Sequence, residues 1–146
     1  MKMIKIAAIG VILAAGAAFA EGTATDPAAM QREGVMKEIG KNMGILGGMA
    51  KGEVAYDATA AGAAQAGLLL NSTIIHSAFE TQGGEDATSE AKPEIWTSWD
   101  DFVKKADALT AAVTAADVSL AEAIGASLGS IGGTCKDCHT TYRMKM

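Results

Sequence analysis

Proline, aromatic residues and cysteine are all scarce in this chain of 146 residues. It has two prolines and two cysteines, and aromatic side chains make up 5% of the sequence. The shortage of proline permits long helices, and the absence of sustained apolar–polar alternation argues against strands. Few aromatics and many alanines predict thin helices, and two cysteines allow no more than one pair.

The ends of the chain differ in charge and hydropathy. Lys2 and Lys5 precede an apolar, Ala/Gly-rich run over residues 6–18, and Ala18-Phe19-Ala20 follows with the small-x-small pattern of signal cleavage. The run is short for a membrane-spanning helix, which disfavours an uncleaved anchor. We therefore predict an exported, periplasmic protein, with a signal peptide over residues 1–20 cleaved after Ala20 and one domain over residues 21–146.

Basic residues are few in the predicted mature chain. Residues 21–146 contain ten Lys or Arg and 17 Asp or Glu, a formal charge of −7. An acidic surface argues against binding to nucleic acid or to anionic membranes. It favours partner proteins that present basic patches.

Apolar residues recur at intervals of three and four, which predicts four helices. The first covers about 27–50, the second about 58–79, the third begins at Pro93, and the fourth runs from about 117–119 up to the cysteines. A polar loop over residues 80–92 separates the second from the third. Short connections between four helices indicate an all-α fold, an antiparallel up-and-down four-helix bundle.

The residues most indicative of function are Cys135-Lys136-Asp137-Cys138-His139. The spacing C-x-x-C-H is the attachment signature of c-type haem, in which two thiols bond to the porphyrin and the histidine ligates iron. A redox dithiol normally lies where a strand opens into a helix, and a zinc site would need the distant His76 as its fourth ligand. A disulfide across two intervening residues would be strained. The motif therefore predicts one covalent haem c, and the export signal agrees with it.

With this motif at the far C-terminus of an exported helical chain, the sequence resembles the class II c-type cytochromes, the cytochrome c prime family. Further marks of the resemblance are Lys51-Gly52-Glu53 and Pro93-Glu94-Ile95-Trp96. The resemblance implies that Cys135 and Cys138 form the thioethers and that His139 is the proximal ligand. It also implies that Arg143 lies near that histidine, that Arg32 pairs with a haem propionate, and that Met36 faces the open side of the iron.

Met36 decides between two functions that the family offers. As a sixth ligand, its thioether would give a low-spin, His/Met-ligated haem suited to electron transfer, and the run around Met36 resembles this branch. As a packed side chain, it would leave five-coordinate iron that binds nitric oxide or carbon monoxide. We expect an electron carrier, not an enzyme, whose partners are soluble or membrane-bound redox proteins. A homodimer is possible, and His76 is expected at the solvated surface.

Overall fold

Six helical elements make up most of the structure, a computed structural model that describes residues 23–144. They are α1 (Pro27–Ala50), α2 (Ala58–Thr73), α3 (Ile75–Phe79), α4 (Glu94–Thr97), α5 (Trp99–Thr114) and α6 (Ala121–Tyr142). Between residues 23 and 144 there is no strand, only an isolated bridge between Ala91 and Arg143. In the same range no helix is long and apolar enough to cross a membrane. The predicted signal segment, residues 1–20, lies outside the described residues.

The helices form the predicted four-helix bundle. α1 and α6 are each one arm of the bundle, α2 and α3 together form another, and α4 and α5 together form the fourth. α1 packs against α2, α3 and α6, and α5 packs against α2 and α6. The centre is filled by fully buried aliphatic side chains from every arm, which include Leu46, Leu68, Ile95, Ile124 and Ile131. Close packing of such side chains is the main stabilising contribution in a bundle of this kind.

The bounds of α1 agree with the sequence prediction for a local physical reason. The Asp26 carboxylate accepts a hydrogen bond from the backbone N–H of Ala29 at 3.0 Å, and Pro27 occupies the first turn, where its missing N–H costs nothing. After the helix ends, Gly52 adopts a φ of 71°, a conformation that glycine tolerates best.

The other predicted arms differ from the structure in detail. The second is interrupted at Ile74 and the third at Ser98. Just before Ile74, the hydroxyl groups of Ser72 and Thr73 donate to carbonyls three residues back, an alternative to regular helical bonding. The last helix begins at Ala121, slightly later than predicted, and it continues through the cysteines to Tyr142.

The loop over residues 81–92 is fixed at its middle and at its C-terminal end. The Asp86 carboxylate accepts hydrogen bonds from the backbone N–H groups of Asp26 and Thr25 at 2.9 and 2.7 Å, and these bonds, with one from the Thr88 hydroxyl, hold its pKa well below the usual value. At the C-terminal end, the backbone N–H of Lys92 donates to the Tyr142 carbonyl at 3.0 Å. The loop therefore joins the start of α1 to the end of α6.

Candidate functional site

The residues of the attachment motif share one face of α6. Separations of three and four residues bring Cys135, Cys138 and His139 to the same side of an α-helix. All three are partly buried, whereas Lys136 and Asp137 between them are exposed. The helix therefore directs the two thiols and the imidazole towards the bundle interior and the intervening residues towards solvent.

These three side chains line a cavity between α1, α3, α5 and α6. Met36 of α1 reaches the same cavity, so a thioether, an imidazole and two thiols border one space. The remaining walls are almost entirely apolar. They are formed by Ile39, Ile75, Phe102, Ala106, Leu109, Thr134 and the side chain of Lys105.

Burial controls the protonation of the motif. It raises the pKa of the Cys135 thiol, and it raises that of Cys138 to about 11, against an opposing effect of the nearby Lys105 charge. Burial lowers the pKa of His139, and the positive charge of Arg143 lowers it further. The negative charge of Glu90 has the opposite effect. The imidazole is therefore neutral near pH 7 and keeps a nitrogen lone pair available for a metal.

The geometry disfavours the competing interpretations of the motif. A reactive dithiol needs a lowered thiol pKa, usually at a helix N-terminus, and here both values are raised in the last turns of a helix. Residues 23–144 contain no cluster of three or more His, Cys, Asp or Glu arranged to hold a metal ion. No disulfide joins the two cysteines.

His76 does not complete a site with the cysteines. Its Nε2 lies 3.2 Å from Oδ1 of Asp107 on α5, and its side chain is 39% exposed. It lies next to Ile75, which lines the cavity, but it is not among the residues that border the space. This position agrees with the expected surface role.

Arg32 lies one helical turn before Met36 but beneath the 81–92 loop rather than at the cavity wall. Its Nη1 donates to the carbonyls of Thr81 and Gln82 at 3.0 and 3.1 Å, and the guanidinium lies 5.3 Å from the centre of the Trp96 ring. The buried Nε has no hydrogen-bond partner among the described residues. The propionate contact therefore stays a prediction.

Arg143 lies one turn after His139, and its backbone N–H donates to the His139 carbonyl at 3.1 Å. Its guanidinium forms an ion pair with Glu90 in the 81–92 loop. The side chain thus links the end of α6 to the loop, and a role of Arg143 beside the proximal histidine stays a prediction.

Two residues near the motif were not singled out in the sequence. Lys105 borders the cavity and pairs with Asp137, and buried Tyr142 donates its hydroxyl to Asp101 at 2.7 Å. Lys105 follows Phe102 by three residues, a spacing that places a lysine on the apolar face of α5 and could have drawn attention to it. The contacts of Tyr142 depend on how α5 and α6 pack.

The chemistry of the residues that line the cavity suits a haem c. Apolar walls suit the body of a porphyrin, the two thiols match its two attachment points, and a neutral imidazole and a thioether are both iron ligands. The observation that carries the fit is that these four sulfur and nitrogen groups border one apolar space.

Comparison with known proteins agrees with this chemistry. The family described as Cytochrome C′ matches residues 27–143. Cytochrome c-556 of Agrobacterium fabrum is 36% identical over 151 residues, which cover 99% of this chain and 97% of the relative.

Two solved structures share the architecture. The structure of oxidized R. palustris cytochrome c556 matches with a TM-score of 0.74 and 26% identity, covering 82% of this chain and 98% of that one. A cytochrome c′ described as having ligand-controlled dimer dissociation matches with a TM-score of 0.70 and 25% identity, covering 81% and 97%. The cofactor is therefore covalent haem c, and the chain belongs to the cytochrome c′ family of c-type cytochromes.

Proposed function

We propose that this protein is a periplasmic, single-haem electron carrier whose iron is ligated by His139 and Met36. In this proposal Cys135 and Cys138 attach the haem, and residues 1–20 are removed after Ala20 to leave a mature domain of residues 21–146. The protein acts by passing single electrons between other redox proteins and not as an enzyme.

The observation that carries the proposal is the convergence of Met36 and His139 on one apolar cavity from two different helices. His139 follows Cys138 directly, so its position is tied to the attachment point. Met36 lies in the middle of α1, a helix held by capping at its start and by packing against α2 and α6. Rigid helices on both sides favour a fixed ligand geometry.

The chemistry of the two side chains suits electron transfer. Haem iron, when bound, alternates between the ferric and ferrous states. A thioether is a soft ligand that favours reduced iron, and the neutral imidazole of His139 needs no deprotonation before it binds. The aliphatic and aromatic walls exclude water, which limits rearrangement around the centre when its charge changes.

The alternative is a five-coordinate cytochrome that binds nitric oxide or carbon monoxide. It is favoured by the similarity to a protein named cytochrome c′ and by the flexibility of methionine, which often fills irregular gaps in a core. The similarity to proteins named cytochrome c-556 and c556, together with the contact of Met36 with the cavity, supports the electron-carrier proposal instead.

The partners are expected to be soluble or membrane-bound redox proteins with basic docking patches. The mature chain has seven more acidic than basic residues, and complementary charge accelerates encounter between redox partners. The same charge disfavours nucleic acid as a partner.

A homodimer is a further part of the proposal, supported by the character of α2 and α3. Residues 58–79 contain no Asp, Glu, Lys or Arg, so this arm carries no fixed charge. On its outer side Leu70 is 64% exposed and Ile74 is 39% exposed. A helix that is apolar on all sides is usually covered, and a second copy could pack against this face without bringing like charges together.

Replacement of either cysteine by serine should prevent normal haem attachment. Cys135→Ser and Cys138→Ser each remove one thioether, so the haem should be lost or held by a single bond, whereas Lys136→Ala should retain full attachment because Lys136 is exposed. Mass spectrometry of the denatured periplasmic protein provides the measurement. If haem from the wild type extracts freely into acidic organic solvent, attachment by Cys135 and Cys138 is wrong.

Met36→Ala should convert a low-spin cytochrome into a high-spin one that binds carbon monoxide readily and has a lower reduction potential. Loss of the thioether opens one coordination position and removes a ligand that favours ferrous iron. Optical spectra of the ferric and ferrous forms, with and without carbon monoxide, measure the change.

Met43→Ala is the matched control, because Met43 is also partly buried on α1 but does not border the cavity. Both substitutions remove a comparable apolar side chain and should each lower the free energy of unfolding by about 2 kcal/mol. Only Met36→Ala should alter the spectrum. A high-spin wild type that binds carbon monoxide without displacing a ligand would contradict ligation and favour the gas-binding alternative.

Leu70→Glu should shift the protein from dimer to monomer in sedimentation-velocity experiments, because it places a charge on the uncharged face. Ala111→Glu on the exposed side of α5 serves as the control and should leave the dimer intact. If the wild type sediments as a monomer at every concentration tested, the outer face of α2 does not mediate self-association.

A further inference from the structure

Lys105 occupies an unusual position for a charged side chain. It lies on the apolar row of α5 between Phe102 and Leu109, and it borders the same cavity as Met36 and His139. Its side chain is only 19% exposed. A lysine in such a place keeps its methylene stem against apolar surface and extends its ammonium to a polar partner at the edge.

The partner is Asp137, which lies within the attachment motif. Nζ of Lys105 is 2.5 Å from Oδ2 of Asp137, and the aspartate side chain is 66% exposed. Lys105 and Cys138 border the same cavity. A positive charge therefore lies beside the haem attachment point, with its counter-charge on the solvent side.

We propose that Lys105 sets the reduction potential of the haem, and that the exposed carboxylate of Asp137 moderates its effect. The inference rests on the proposed electron-carrier function, because it concerns how strongly the same centre holds its electron. Lys105 acts on the iron through its charge and does not bind it.

The physical basis is the change in charge when iron is reduced. Ferric iron carries one more positive charge than ferrous iron, so a nearby ammonium destabilises the ferric state more and raises the potential. The effect of a charge grows as its distance from the iron falls. Lys105 borders the cavity and Asp137 does not, so the influence of the ammonium should exceed that of its counter-charge.

The test compares reduction potentials of purified holo-cytochromes by optical redox titration. Lys105→Met keeps an apolar side chain of similar length but removes the charge, and it should lower the equilibrium constant for reduction about two- to tenfold. Asp137→Asn should raise that constant, and the double variant should lie between the single variants. Lys105→Arg should remain close to the wild type because it preserves the charge.

Lys104 and Asp100 provide matched controls, since both are exposed residues of the same helix. Lys104→Met and Asp100→Asn should produce smaller changes, and these should fade at high salt while the effect of Lys105→Met persists. Urea unfolding of the two single variants and the double variant measures the coupling between Lys105 and Asp137 independently of the potential.

The proposal is overturned if Lys105→Met leaves the potential unchanged or raises it, or if Lys104→Met shifts it equally. Far-UV circular dichroism identifies any variant that fails to fold. If Lys105→Met does not fold, Asp137→Asn should still have a higher reduction potential than the wild type, and Lys105→Arg should have one close to it. The spin state of the wild type, recorded in the same samples, tests Met36 ligation separately. A high-spin wild type whose potential still falls in Lys105→Met would refute the ligation and retain the role of Lys105.

Discussion

The constraint on which the site depends is the helical phase of the attachment motif. Cys135, Cys138 and His139 point to one side because α6 continues unbroken through them to Tyr142. If the helix ended at the first cysteine, the imidazole would not be tied to the same face as the thiols. Attachment and ligation are therefore consequences of one regular helix whose inner face is turned into a bundle.

The surrounding contacts hold that helix in position from two directions. On one side, α5 contacts it through the Lys105–Asp137 pair and through the hydrogen bond from Tyr142 to Asp101. On the other side, the 81–92 loop pairs with its last turn through the Arg143–Glu90 ion pair. The same loop covers Arg32 of α1, so the helix that carries Met36 and the helix that carries His139 share a common anchor.

Much of this arrangement could be predicted from sequence, because the relevant signals are local. Asp26 and Pro27 mark the start of α1, and C-x-x-C-H identifies the cofactor without any knowledge of the fold. The break at Ile74 could not be predicted in this way, since no proline or glycine marks it and the competing hydrogen bonds come from ordinary serine and threonine hydroxyls.

Long-range contacts could not be predicted from the sequence, for a different reason. Lys105 and Asp137 are 32 residues apart, and Tyr142 and Asp101 are 41 apart, so their pairing depends on how α5 lies against α6. The environment of Arg32 likewise depends on the path of the 81–92 loop. The helical pattern predicts which residues face inwards, and only the packing of the arms determines which partners they meet.

Ligation by Met36 is the central claim, and proton NMR of the reduced holo-cytochrome with methyl-labelled methionine tests it most directly. A thioether bound to low-spin ferrous iron places its methyl group over the haem ring, where the ring current shifts its resonance far upfield. We predict one such sharp methyl signal, assigned to Met36 by its loss in Met36→Leu. Paramagnetically broadened, high-spin spectra with no sharp methionine methyl signal far upfield would contradict the account.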